Sequence, residues 1–492
     1  MKDLSILINA DDKQSHINRE VYGNFSEHLG RCIYNGIFVG EDSSIPNIHG
    51  LRKDIIEAFK NIKLPVLRWP GGCFADEYHW RDGIGEKSSR KKIVNTNWGG
   101  VVENNSFGTH EFMELCELVG CEPYISGNVG SGTVRELSEW VEYMTCPDDT
   151  PMTSLRKENG REEAWSLKYL GIGNENWGCG GNMDPQYYSS VYKQFASFCK
   201  NYGGNRLYKI ACGPSGGDYN WTDTVMKNFA PYGGQLVDGI SLHFYCIPDW
   251  NNKGDAVDFS EDSYYTWLDT ANKMEELIST HEGIMERYDP ENKIALIVDE
   301  WGSWYDVEKG TNPGFLYQQN TMRDAMIAAI SLNIFNRHAR RVKMANIAQA
   351  VNVLQAVILT EGEKMILTPT YHVFDLYKDH QGAESIYCHT GNEDAAEGKK
   401  LPMISSSASV KDGKVTVTLS NCSLTEGVRL SGLVAGIDAK SIKADILTGE
   451  AHAHNTFDSP ESVTIKPHKA QLEGNKLCVE LPPCSVVRLC IE

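Results

Sequence analysis

Two glutamates carry the clearest chemical signal in the sequence. Glu175 lies in the run Tyr169-Leu170-Gly171-Ile172-Gly173-Asn174-Glu175-Asn176-Trp177, and Glu300 in Ile294-Ala295-Leu296-Ile297-Val298-Asp299-Glu300-Trp301. Each carboxylate ends an apolar, strand-like stretch. Acids so placed suit glycoside hydrolysis, in which one carboxyl donates a proton and the other acts as nucleophile or base. Taken alone, an Asn-Glu or Asp-Glu pair is more readily a solvated strand-end acid. Position and flanks favour the catalytic reading here.

A retaining glycosidase must keep its acid/base protonated at rest and its nucleophile ionised, so neighbouring polar groups have to hold the two apart. In Ser241-Leu242-His243-Phe244-Tyr245 the two-residue period of a strand puts His243 and Tyr245 on one face. If that face lines the site, Tyr245 can donate to a carboxylate and keep it charged, while His243 bonds the acid/base. Otherwise both are ordinary rim residues. The same alternation turns Asp299 away from the face of Glu300, towards surrounding helices, so Asp299 reads as structural. Asn174 offers an amide to a sugar 2-hydroxyl, and Glu27 in Phe25-Ser26-Glu27-His28 can accept from sugar hydroxyls. Gly71 and Gly72, in Arg68-Trp69-Pro70-Gly71-Gly72-Cys73, would let backbone approach a ligand, although Pro-Gly-Gly is also simply a turn. Trp80, Trp98, Trp301 and Trp304 are candidate sugar platforms, with most tryptophans expected in the core or at interfaces.

Positioning these residues requires strands that end at a common rim. Eight strand signals appear: Glu20 to Ser26, Val66 to Trp69, Glu122 to Ser126, Leu167 to Gly171, Lys209 to Cys212, Gly239 to Phe244, Lys293 to Val298 and Ala345 to Val351. Helical patterns separate them, among them Thr109 to Val119, Val134 to Met144, Tyr187 to Cys199, Tyr264 to Glu286 and Phe315 to Asn336. Such alternation implies a parallel sheet, and eight units imply a closed (β/α)8 TIM barrel with its site at the C-terminal strand ends. Beyond about Tyr377 the texture changes to alternating runs such as Lys414-Val415-Thr416-Val417-Thr418-Leu419, which read as a jelly-roll-like antiparallel β-sandwich. The early strand Ser5-Ile6-Leu7-Ile8 precedes the barrel and is expected to join that sandwich. The expected division is a barrel over residues 16–380 and an accessory domain built from 1–15 and 381–492.

The bulk numbers exclude some functions. A formal charge of −19 argues against nucleic acid or an anionic membrane as partner and suits a neutral substrate. No run is apolar and long enough to span a membrane, and the N-terminal patch is too soon interrupted by acids for a secretory segment. The 14 cysteines show no Cys-x-x-Cys spacing, so reduced thiols in a cytoplasm are expected rather than a disulfide framework. Cys179-Gly180-Gly181 lacks the Lys-Ser/Thr of a phosphate loop, and there is no His-Glu-x-x-His. Nothing calls for a metal or an organic cofactor.

Further stretches run in the same order through nearly the whole chain: Gly23-Asn24-Phe25-Ser26-Glu27-His28-Leu29-Gly30, Leu67-Arg68-Trp69-Pro70-Gly71-Gly72, Trp80-Arg81-Asp82-Gly83-Ile84-Gly85, Phe107-Gly108-Thr109-His110-Glu111-Phe112, Ala348-Gln349-Ala350-Val351-Asn352 and Ala453-His454-Asn455-Thr456-Phe457. With the two glutamate motifs, they resemble the α-L-arabinofuranosidases of glycoside hydrolase family 51. The resemblance implies a barrel with a β-sandwich completed by the N-terminal strand, and a retaining mechanism. It implies Glu175 as acid/base and Glu300 as nucleophile. It also implies sugar contacts at Glu27, Asn174, Tyr245 and Gln349, with His243 beside the acid/base. Cys73 stands where many members have asparagine, which leaves its backbone as the contact to expect there. The loop from Ser303 to Pro313 is short for the family. Members are commonly oligomeric, often hexameric, so a homo-oligomer is implied.

Two other functions fit the residues. A related retaining barrel hydrolase acting on β-xylosides or β-glucosides would use the same paired glutamates, because fold does not choose the sugar. A catalytically silent carbohydrate-binding protein is the reading from another class, and intact Glu175 and Glu300 sit awkwardly with it.

Overall fold

The computed structural model describes residues 1–492. Eight short strands form the centre: β1 (Gly23–Phe25), β2 (Val66–Trp69), β3 (Glu122–Gly127), β4 (Tyr169–Ile172), β5 (Tyr208–Ala211), β6 (Gly239–Tyr245), β7 (Ala295–Gly302) and β8 (Val342–Ala348). Each pairs in parallel with its neighbour in sequence, and Asn346 of β8 pairs with Gly23 of β1 to close the barrel. Seven interior side chains, Val66, Tyr124, Tyr169, Ile210, Ala295, Ile297 and Met344, pack into a plug that leaves no pore. All eight expected strands are present. The first is shorter than its sequence suggests, because Arg19–Tyr22 form a 3-10 turn.

The helices follow from capping and amphipathic pattern. Thr133 accepts from the Glu136 amide to start Val134–Thr145, and Asp184 accepts from two amides ahead of Pro185–Phe198. The long pattern from Tyr264 to Glu286 is two helices, Glu261–Asn272 and Met274–Tyr288. Likewise the pattern opening at Phe315 begins its helix only at Met322, where Thr321 and Asp324 form a capping box.

The accessory sheet has ten strands, nine of them between Glu384 and Ile491. The tenth is the N-terminal strand Lys2–His16, which enters between Glu384–Thr390 and Val428–Ala435. The sheet is not wholly antiparallel. Lys2–His16 runs antiparallel to the first neighbour and parallel to the second, Lys2 facing Val428 and Asn9 facing Ala435. An N-terminal strand inserted into a sheet built from the C-terminal region carries no hairpin constraint on its direction, which makes the parallel pairing possible. No helix is long and apolar enough to cross a membrane.

Candidate active site

The C-terminal ends of β1, β2, β4, β6, β7 and β8 converge on a pocket of about 60 Å³ lined by Glu27, Gly72, Cys73, Trp98, Glu175, Tyr245, Glu300, Trp304 and Gln349, with Leu29, Leu316 and Leu354. A wider cleft of about 590 Å³ elsewhere is lined mainly by charged side chains, among them Lys63, Lys378, Asp379, Lys411, Asp412, Lys414 and Glu492.

Glu300 sits near the end of β7 with both oxygens occupied. Arg68 Nη1 donates to Oε1 at 2.8 Å and the Tyr245 hydroxyl donates to Oε2 at 2.9 Å. Two donors fix the carboxylate's orientation and favour its charge. Glu175 follows β4 in the left-handed region, at φ 42°, a conformation that costs a non-glycine residue energy and that turns its side chain into the mouth. Its Oε1 lies 2.8 Å from His243 Nδ1. Burial raises the Glu175 pKa above the usual carboxylate range; the bond to His243 works against that rise, while the nearby charge of Glu300 adds to it. A Glu175 oxygen and a Glu300 oxygen lie within 4.8 Å of one another, and His243 is within the same distance of both.

His243 is held from both sides. Nε2 lies 3.0 Å from Asp299 Oδ1. Burial opposes a charge on the imidazole, but the carboxylates of Glu300 and Asp299 and the bonds to Asp299 and Glu175 lift its pKa to about 10. For Asp299 burial also opposes the charge, yet Arg68 and His243 hold it below the usual carboxylate range. Both shifts run in the direction that favours a proton within the Glu175–His243 pair, whose atoms meet across a 2.8 Å contact at the pocket wall.

The expected orientation of Asp299 is thus wrong. Its side chain does not face the helices; it meets His243 and accepts from the Tyr124 hydroxyl at 2.8 Å inside the barrel. The cause is a bulge in β7. Ser241 pairs with Ile297 and His243 with Glu300, so β7 spends one residue more than β6 over the same rise. The extra residue breaks alternation, letting Asp299 and Glu300 serve one cluster.

Arg68 is the residue that sequence reasoning missed. Its guanidinium reaches Glu300, the Asn174 side chain (Nη2 to Oδ1, 2.6 Å) and Ser126 Oγ (3.1 Å), and lies 3.7 Å from Asp299. An arginine within the buried strand β2 was the available signal, since such a charge must be paired. Asp76 was also missed. It accepts from the amides of Val129, Gly130 and Asn174, tying the loops after β2, β3 and β4 together. Burial pushes its carboxyl up to about 7, the amides pulling the other way.

The remaining expected residues are brought together. Glu27 accepts from the Phe74 amide (3.0 Å), Trp98 Nε1 (2.9 Å) and Gln349 Nε2 (3.0 Å); burial, with help from Glu300, raises its pKa to about 7. Gln349 Oε1 is buried without a protein partner, an acceptor left for a ligand hydroxyl. Gly72 has a local reason: a Cβ there would lie 2.7 and 2.8 Å from the Glu27 carboxylate oxygens. Of the tryptophans, Trp98 and Trp304 line the pocket, whereas Trp80 and Trp301 are core. The expectation that all thiols stay unpaired fails once: Cys73 and Cys179 form a disulfide, with Cα atoms 5.6 Å apart. They lie 106 residues apart and meet only because the loops after β2 and β4 converge, which spacing does not reveal.

Paired carboxylates at the C-terminal mouth of a closed parallel barrel define a glycoside hydrolase. Residues 58–258 match the family model of the α-L-arabinofuranosidase 1 domain, and residues 299–485 that of the α-L-arabinofuranosidase C-terminal domain. The chain is 50% identical to an intracellular exo-α-L-arabinofuranosidase of Bacteroides ovatus, over 99% of this chain and 95% of that one. It is similar to the solved family 51 arabinofuranosidase of Xanthomonas axonopodis pv. citri, with 44% identity, a TM-score of 0.96, and 99% and 100% of the two chains covered. It is also similar to the α-L-arabinofuranosidase of Thermotoga maritima solved as an arabinose complex, with 30% identity, a TM-score of 0.88 and the same coverage. The chain belongs to the α-L-arabinofuranosidases of glycoside hydrolase family 51.

Proposed function

We propose that this arabinofuranosidase is a retaining, exo-acting enzyme that releases terminal non-reducing α-L-arabinofuranosyl residues by double displacement. Glu300 attacks the anomeric carbon, and Glu175 passes the proton it shares with His243 to the departing oxygen. A covalent arabinosyl-enzyme results, and Glu175 then takes a proton from the water that hydrolyses it. The observation that carries this reading is the approach of Glu175 and Glu300 oxygens to within 4.8 Å. Retaining enzymes hold their carboxyls about 5–5.5 Å apart, whereas inverting enzymes need about 6.5–9.5 Å to admit a water.

Around the sugar, Glu27, Asn174, the Gln349 acceptor and the Cys73 backbone take hydroxyls. Tyr245 and Arg68 hold the nucleophile, and His243 with Asp299 serves the acid/base. A small closed pocket favours a terminal residue over the interior of a chain. The substrate class is arabinose-containing oligo- or polysaccharide. A cytoplasmic location, a homo-oligomer and folding units of 16–380 and 1–15 plus 381–492 belong to the same proposal, supported by the intracellular relative and the family resemblance.

The test is turnover of 4-nitrophenyl α-L-arabinofuranoside, β-xyloside and β-glucoside by the wild type, Glu175→Ala and Glu300→Ala, with azide. Expected is arabinoside turnover lost in both variants, with azide restoring an α-arabinosyl azide in Glu175→Ala, by attack on the covalent intermediate, and a β-arabinosyl azide in Glu300→Ala, by direct attack on the substrate. Turnover of the xyloside or glucoside alone would overturn the substrate, and rescue with the same stereochemistry in both would overturn the roles.

A further inference from the structure

Three atoms of the site stand outside the reaction just described: the two sulfurs of Cys73 and Cys179, and the Glu175 oxygen that faces away from His243. Cys179 Sγ lies 3.6 Å and Cys73 Sγ 4.0 Å from Glu175 Oε2. These two cysteines form the single disulfide of the chain; every other cysteine is unpaired and most are buried. Cys179 is exposed, so a dissolved thiol can reach this bond, and Cys73 lines the sugar pocket. An accessible disulfide is the kind that exchanges.

We propose that Cys73, Cys179 and Glu175 form a redox-gated binding site for a thiophilic divalent cation such as zinc. The site is shut as the disulfide, open as the dithiol, and inhibitory when filled. All three ligand atoms lie within 4.8 Å of one another. Tetrahedral zinc with sulfur at about 2.3 Å and oxygen at about 2.1 Å sets S···O edges near 3.6 Å and S···S edges near 3.8 Å. The Cys179 distance of 3.6 Å already matches that frame, while Cys73 at 4.0 Å stands about 0.4 Å outside it, so opening the disulfide must part the sulfurs and bring Cys73 Sγ closer to the oxygen. His243 holds the other Glu175 oxygen and orients the carboxylate, as outer partners do at metal sites. The fourth position opens on the pocket and takes water.

The opening step uses a dithiol reductant. Its thiolate attacks Cys179 Sγ, the S–S bond breaks and Cys73 leaves as thiolate. The reductant's second thiolate then displaces Cys179, and the reductant departs as its own disulfide. Zinc binding takes the two sulfurs as thiolates and Glu175 as carboxylate, releasing their protons to solvent. Glu175 then has no proton for the departing oxygen. The inhibition rests on Glu175 being the acid/base, whereas the metal site does not.

The test uses full-length protein, oxidised or reduced with dithiothreitol and freed of it without oxygen. It is titrated with cobalt(II), whose thiolate charge-transfer absorption reports sulfur ligation, and separately with zinc during hydrolysis of an arabinose disaccharide, whose sugar leaving group needs the proton. Expected is a cobalt–thiolate band in reduced wild type exceeding that of reduced Cys179→Ser and Cys73→Ser by one equivalent. Saturating zinc should lower turnover of the reduced form on the order of 10²-fold, the usual worth of a general acid, reversibly with chelator and without effect on the oxidised form. The site is overturned if reduced wild type and both variants bind cobalt alike. The gating is overturned if zinc inhibits the oxidised form equally, or if mass spectrometry finds both thiols free after oxidation. Because the cobalt band needs no turnover, an enzyme inactive on arabinosides would sink the proposed function and leave the site decided.

Discussion

Nε2 of His243 lies 3.0 Å from Oδ1 of Asp299, on the side of the ring opposite Glu175. A carboxylate on that nitrogen keeps a hydrogen there and directs Nδ1 at Glu175, so Asp299 acts on the acid/base through the imidazole. Asp299→Asn should therefore lower kcat/KM by on the order of 10- to 100-fold, the usual effect of removing such an outer partner. The alkaline limb of the pH profile should move to lower pH, because the imidazole loses a charge that favours its proton. Arabinoside kinetics from pH 4 to 10 check this, with a melting curve to exclude unfolding. A variant with normal rate and an unmoved alkaline limb would reduce Asp299 to a packing role.

Gly72 is a steric requirement of the sugar site. An added Cβ would press on both Glu27 oxygens at 2.7 and 2.8 Å, and Glu27 is braced by Phe74, Trp98 and Gln349. Gly72→Ala should leave the barrel folded but displace Glu27, raising KM for the arabinoside by about tenfold or more, since a misplacement near 1 Å can cost as much as 10²-fold. Steady-state kinetics beside circular dichroism separate this from a folding defect, and an unchanged KM would show that the loop after β2 yields without cost.

Most of the frame can be read from sequence because it depends on local pattern. Strand ends at Glu175, Glu300 and Tyr245 follow from apolar runs that stop at polar residues, and each of those residues reaches the pocket. What escaped depends on pairing between strands. The bulge that brings Asp299 inward exists only as a register between β6 and β7. Arg68 lies in plain view in β2, yet its partners come from β3, β4 and β7 and its loop neighbours. Cys73 and Cys179 show the same limit, since neither carries a local motif.

Away from the site, His338 clasps two helices and yields a stability prediction. It follows Met322–Arg337 and lies 2.8 Å from Glu275 and 2.9 Å from Glu282 of Met274–Tyr288. Burial disfavours its charge, but the bonds to Glu275 and Glu282 prevail and raise its pKa from 6.5 to about 9. The folded state thus binds a proton more tightly than the unfolded chain. That contribution is fully present below pH 6.5 and is lost as pH rises through 9, amounting to at most ~3 kcal/mol. His338→Gln should melt below wild type at pH 6, with the gap closing by pH 10. A gap independent of pH would assign the effect to packing.

The strongest separation of roles comes from the leaving group. An aryl oxygen such as 4-nitrophenolate departs with little help, whereas a sugar alkoxide needs a proton in the transition state. If Glu175 is the donor, Glu175→Ala should cost far more on an arabinose disaccharide than on 4-nitrophenyl α-L-arabinofuranoside, the difference falling in the 10²- to 10⁴-fold range of general acid catalysis. Glu300→Ala removes the group that forms the covalent bond, so both substrates should suffer alike. The geometry supplies the reason for the asymmetry. The Glu175 carboxyl is tied through Oε1 to the His243 imidazole, while both Glu300 oxygens accept hydrogen bonds from Arg68 and Tyr245. Initial rates on the two substrates, as the ratio of variant to wild type, decide it. Equal losses in Glu175→Ala would remove Glu175 from proton transfer, and a Glu300→Ala loss confined to the disaccharide would exchange the two assignments.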